Sequence, residues 1–292
     1  MVKDINKIDH NRCLIALTTS SAIALITFIG LVVKLLTPLS ENTLLAGADN
    51  FRYFTVLSAM LVSYFSILCI PFEVQGLKQK NYHLPRWIVD FLYVGVCCST
   101  MTFLISVFVI APTRGVRETL FSGSLLYLHL LCPLLSLVLF LEINVDHKIK
   151  YSRMIFPIGL VIIYAIVYYI EVFVKNRWLD HYYVSEHIPI GVLFVLMLLV
   201  IAAISYVLIR IHNKKHEEYK QLTIDYYMNS KDYAFLDIFE AIRKLASNDR
   251  HRYQEGDISV PVRLIRILKN RYNYEGNDDD LYNAYISEFL NK

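Results

Sequence analysis

A histidine and a threonine in separate apolar stretches are the residues of this chain best suited to chemistry. His129 lies inside the run Phe121 to Leu141, and the other eight of the nine histidines fall outside the long apolar runs. A titratable ring in hydrocarbon is costly, so it marks a functional position with a partner to be found. The best-placed partner is Thr55, in the stretch Asn50-Phe51-Arg52-Tyr53-Phe54-Thr55 that opens another apolar run. A threonine hydroxyl is a weak nucleophile until an adjacent base, usually a neutral imidazole, takes its proton. Together they are the minimum set for attack on an ester carbonyl, His129 taking the hydroxyl proton and returning it to the leaving alcohol. Pro133 follows His129 by four residues, so it removes the hydrogen bond to the carbonyl of residue 129 and kinks the helix there. A kink of that kind opens a small polar cavity. Glu171 is the candidate orienting group, and Ser58 and Tyr127 are candidate polar neighbours or oxyanion donors. Two structural roles compete with catalysis: the threonine bonding to a carbonyl of its own helix, and the histidine serving as an interhelical hydrogen-bonding device.

The elements that would position this pair are membrane spans. The chain has 292 residues, of which 55% are hydrophobic and 19% charged, and its mean hydropathy is +0.42. A soluble domain carries about 25% charged residues. The apolar excess gathers into runs of about twenty residues, the length that crosses a hydrocarbon core of about 30 Å. The sequence predicts six spans, roughly 13–36, 52–72, 88–111, 121–142, 154–174 and 188–211. Pro38, Pro71, Pro85, Pro112 and Pro189 sit near their ends, with Trp87, Tyr151, Trp178, Tyr182 and Tyr183 as an interfacial belt. The first run is too long for the apolar core of a signal peptide and lacks a cleavage site after it, so it reads as an uncleaved span. Lys and Arg gather on alternate connections: Lys3, Lys7 and Arg12; Lys78, Lys80 and Arg86; Lys148, Lys150 and Arg153; Arg210, Lys214 and Lys215. The opposite side carries Arg114, Arg117, Lys175 and Arg177, so both termini are expected to be cytoplasmic and the protein to sit in the cell membrane. By residue count, Thr55 then lies about 6 Å and His129 about 12 Å inside the leaflet facing away from the cytosol. The expected fold is all-α: a polytopic six-helix transmembrane domain over residues 1–212, followed by a small helical cytoplasmic tail over 213–292. In the tail, Phe235, Ile238, Phe239, Ile242 and Leu245 recur at helical spacing.

Several function classes lose ground on composition. A net charge of +3 with no basic block argues against nucleic acid as a partner. Cys13, Cys69, Cys97, Cys98 and Cys132 lie in or beside apolar runs without metal or disulfide-framework spacing. His212 and His216 are four apart with no third ligand, so no metal or other cofactor is expected. Lys34, Asp90, Glu142 and Glu171 lie near span ends, which disfavours an ion-coupled transporter while leaving a neutral substrate open.

Two segments carry a family resemblance. Asn50-Phe51-Arg52-Tyr53-Phe54-Thr55 and Leu128-His129-Leu130-Leu131-Cys132-Pro133 resemble the aromatic-basic-aromatic-x-Thr and His-x3-Pro patterns of the six-helix intramembrane hydrolases that include the androgen-induced proteins. The similarity is closer to that family's bacterial branch. Arg177-Trp178-Leu179-Asp180-His181-Tyr182 is a weaker echo of a tryptophan in the last outer loop. The resemblance covers roughly residues 10 to 211 and implies Thr55 as nucleophile and His129 as base, acting on lipid esters. Three hypotheses follow. The first is an intramembrane ester hydrolase or acyl-transfer enzyme whose partners are membrane lipids. The second is a non-catalytic membrane scaffold binding a cytoplasmic protein through residues 213–292, and the third a transporter of a neutral substrate.

Overall fold

A computed structural model describes residues 5–36, 52–79, 84–143, 148–175 and 190–229, and the statements below concern these. Among them every regular element is helical. The helices are α1 (Ile5–Leu36), α2 (Phe54–Gln79), α3 (Arg86–Ile105), α4 (Ala111–Arg114), α5 (Val116–Leu120), α6 (Cys132–Glu142), α7 (Ile155–Tyr169) and α8 (Ile190–Asn229). Three π-helical turns extend them: Ser106–Ile110 after α3, Leu126–Leu131 before α6, and Ile170–Val174 after α7. Five helical stretches are long and apolar enough to cross a membrane: Lys7–Leu36, Phe54–Lys78, Arg86–Ile110, Tyr151–Val174 and Phe194–Tyr219. Leu126–Glu142 is apolar but shorter. The helix expected from residue 121 starts later because Phe121–Gly123 form a bend, with Gly123 at φ +49°. The tail helices expected beyond residue 229, and the tryptophan segment at 177–182, lie outside the described residues.

The chain divides into two compact units, one of Asp9–Asn144 with Ile149–His212, the other of Met1–Ile8, Val145–Lys148 and Asn213–Lys292. In the second, Lys148 pairs with Glu217, and His216 and Tyr219 are buried. In the first, α3 is the central helix. Every residue from Leu92 to Thr102 is buried, as expected of a helix apolar on all sides. It packs on α2, α6 and α7. The register with α2 is antiparallel, since Ser58 meets Thr102 while Val62 meets Gly95 further along. The register with α6 and its π turn is antiparallel too, Ser106 facing His129 and, seven residues earlier on α3 and seven later on the other segment, Ser99 facing Ser136. By contrast α7 exposes Ile155, Phe156, Ile163, Ile166 and Val167, a surface suited to lipid rather than water.

Helix α2 departs from the expected span in one informative way. It runs through Pro71 to Gln79 instead of ending near residue 72. Glu73 is thereby enclosed with no exposed surface, and its Oε1 accepts a hydrogen bond from Ser20 Oγ of α1 at 2.9 Å. The five cysteines are free and buried, Cys13 donating to the Glu73 carbonyl at 3.0 Å.

A close helix approach occurs at Gly95, where an added Cβ would lie 3.0 Å from Val62 Cγ2 and 3.2 Å from its backbone. Backbone cannot swing aside, so Gly95→Ala should lower stability in detergent by about 1–3 kcal/mol. Gly159→Ala, whose Cβ would meet nothing within 4 Å, should leave the melting temperature unchanged or raise it. Equal melting of the two variants would refute this packing.

Candidate functional site

His129 sits in the π turn Leu126–Leu131 and is 8% exposed. A π turn widens the helix and leaves backbone out of the α-helical ladder, and such turns recur at functional sites. Here it ends where α6 begins with Pro133 in its first turn, so the proline's missing N–H falls where the ladder is already interrupted. Where a kink was expected, the described backbone shows this π turn.

The ring is held through Nδ1. Thr119 O of α5 and Ser106 Oγ each lie 3.1 Å from it. A carbonyl oxygen only accepts, so Nδ1 carries the hydrogen and the neutral ring keeps its free lone pair on Nε2. The Ser106 oxygen then shares the same N–H. Thr119 can supply its carbonyl because α5 is a single turn: the last carbonyls of any helix have no partner within it. Gly115, at φ +96°, and Gly123 bracket α5 and let the chain double back between the two π turns. α5 packs on both of these turns.

Thr55 lies in the first turn of α2, which is pinned on two sides. Tyr164 of α7 accepts from the Phe54 amide at 3.2 Å and donates to Arg52 O at 3.1 Å, satisfying a first-turn N–H that has no intrahelical acceptor. Ser58 Oγ donates to Thr55 O at 3.0 Å and lies 3.2 Å from Thr102 Oγ1 of α3. Helix geometry then compares the two residues in depth. Ser106 is four residues beyond Thr102, or about 6 Å, and Thr55 is three residues from Ser58 in the same direction, or about 4.5 Å. Thr55 therefore comes level with Ser106 and His129 to about 1.5 Å, closer than the 6 Å offset expected from counting along the spans. The π turn of His129 also packs directly on α2.

Of the other expected site residues, Ser58 and Glu171 have separate partners. The Ser58 hydroxyl is engaged as above. Tyr127 lies in the same π turn as His129, and its Cβ would meet a Cβ built on Gly30 of α1 at 2.9 Å. Glu171 lies in the π turn after α7 with its Oε1 2.6 Å from Lys175 Nζ, so the described partners at His129 Nδ1 are Thr119 and Ser106.

Nothing matches from outside. No family model, curated protein or solved structure matches this chain. The site therefore stands on its own geometry. Among the described residues no group of three or more His, Cys, Asp or Glu gathers as metal ligands do.

Residues not foreseen from the sequence are Ser106, Thr102, Thr119 and Tyr164. Ser106 and Thr102 had a signal, polar residues four apart in an apolar run, but several such pairs exist. Thr119 acts through its backbone, which has no side-chain signature.

The Nδ1 bond can be tested by substitution, because asparagine carries a donor nitrogen where Nδ1 is and glutamine where Nε2 is. His129→Asn should stay closer to wild type in detergent melting than His129→Gln, by about 1 kcal/mol, the scale of an interhelical hydrogen bond in a membrane protein. The reverse order would assign the anchoring nitrogen wrongly.

Proposed function

We propose that this protein is an intramembrane hydrolase or acyl-transfer enzyme acting on lipid esters, with Thr55 as nucleophile and His129 as base. The observation that carries the reading is the anchoring of His129 through Nδ1, which leaves Nε2 as base at about the level of Thr55. In this scheme Nε2 takes the Thr55 proton as Oγ bonds to the ester carbonyl carbon, and the carbonyl π pair moves to oxygen. Collapse breaks the bond to the alcohol, which leaves with the proton from His129. Water then attacks the acyl-threonine ester by the same steps, releasing the acid, or a second alcohol does so in acyl transfer. The resemblance of the Thr55 and His129 segments to the androgen-induced-protein family supports the same roles.

The accompanying topology is six spans in the cell membrane, Leu126–Glu142 with its preceding turn being the fourth, and both termini in the cytoplasm. Charge distribution supports it: Arg86, Arg153 and Asp90 cluster at the end of α3 remote from His129, with Arg153 Nη2 3.2 Å from Asp90 Oδ2. Residues 213–292 then form a cytoplasmic extension.

A second reading has its own observation. Thr119 and Ser106 satisfy His129 fully at Nδ1, which suits a histidine that only ties α5 and α3 to α6 in a non-catalytic scaffold. A fluorophosphonate with a lipid-like tail separates the two. It should label wild type, and labelling rates should fall at least about 100-fold in Thr55→Ala and His129→Ala. Equal labelling of all three would leave the scaffold.

A further inference from the structure

Thr119 presents a second polar group, and this one is unclaimed. Its side chain is 3% exposed, and its Oγ1 is buried with no hydrogen-bond partner among the described residues. Threonines in apolar helices ordinarily bond back to a carbonyl one turn earlier. Thr18, Thr19 and Thr102 all do so here, at 3.0, 2.7 and 3.1 Å. Thr119 does not, although its own amide reaches Gly115 O at 3.2 Å. A buried donor without an acceptor is destabilising, and in a native structure it calls for an explanation. Ser66 Oγ and Thr100 Oγ1 are also buried without partners, but neither residue bonds to His129. Thr119 does, through its carbonyl, so its hydroxyl lies within a few bonds of the imidazole.

We infer that the Thr119 hydroxyl is the oxyanion donor of the site, held ready for the ester carbonyl oxygen of a lipid substrate. This deepens the hydrolase reading and rests on it. As Thr55 Oγ bonds to the carbonyl carbon and negative charge gathers on the carbonyl oxygen, the Thr119 O–H donates to that oxygen, and it releases it when the carbonyl re-forms. No proton is transferred from Thr119. A donor left unpaired in the free protein needs no bond broken when charge develops, which is the condition for preorganised stabilisation. The same residue would fix the base through its carbonyl and the oxyanion through its hydroxyl, so α5 would set their separation.

The test exploits the expected opposition of stability and activity. Thr119→Val keeps the shape and removes the hydroxyl, and Thr119→Ser restores it. In the full-length protein in detergent, Thr119→Val should melt at or above the wild-type temperature, because no hydrogen bond is lost. Its turnover of p-nitrophenyl octanoate should fall about 10²–10³-fold in kcat with KM little changed, and Thr119→Ser should recover most of it. A lower melting temperature for Thr119→Val would show the hydroxyl already bonded, and unchanged turnover would show it idle; either overturns the inference while the Thr55 and His129 roles stand. No turnover by wild type would remove the hydrolase reading and this inference with it.

Discussion

An imidazole buried among apolar helices must have its N–H satisfied, and the end of this bundle that holds His129 is arranged around that requirement. The acceptor comes from a single-turn helix whose last carbonyl has no partner of its own. Each group removes the other's deficit. The same bond fixes the ring's tautomer, so one hydrogen bond decides both the packing of α5 and which ring nitrogen keeps its lone pair. Without it α5 would carry an orphan carbonyl and His129 an orphan donor, each costing about 1–3 kcal/mol when buried.

Helix α3 acts as the template for the rest. Its hydroxyls meet a different neighbour at successive turns: Ser99 with Ser136, Thr102 with Ser58, Ser106 with His129. Apolar packing alone discriminates poorly between registers in a membrane, because lipid tails are as apolar as the side chains. A ladder of short polar contacts supplies what packing lacks. Gly95 allows α2 to approach closely enough for the Ser58 contact to form. The levels of Thr55 and His129 thus follow from two neighbouring positions on one helix, which are a turn apart by covalent geometry.

The sequence revealed what depends on composition and concealed what depends on approach. Apolar runs of twenty residues announced the helices, and a lone histidine within one pointed to the candidate site. Glu73 was hidden because Pro71 reads as a helix end, whereas packing against Ser20 of α1 carries α2 beyond it. Glu171 read as the orienting acid because it is the acidic residue near the outer end of a span, but Lys175 sits one turn away on its own helix. A backbone carbonyl holds the ring at Nδ1, and any residue type can offer one, so no pattern of letters marks Thr119. Tyr164 is similar: one tyrosine among the 21 of the chain, distinguished only by where α7 brings its hydroxyl.

The central proposal is spatial: a hydroxyl on the first turn of α2 and the imidazole of the π turn before α6 share one level, and the proposed chemistry requires them to come within reach of each other. Its most direct measurement is thiol cross-linking of full-length protein in membranes, with the native cysteines replaced and cysteine placed at Thr55 and His129. The account predicts efficient bridging of this pair by a short bifunctional thiol reagent, and much weaker bridging when the second cysteine is at Ser136, about 10 Å further along the helix. Bridging of the Ser136 pair in preference to the His129 pair would contradict it.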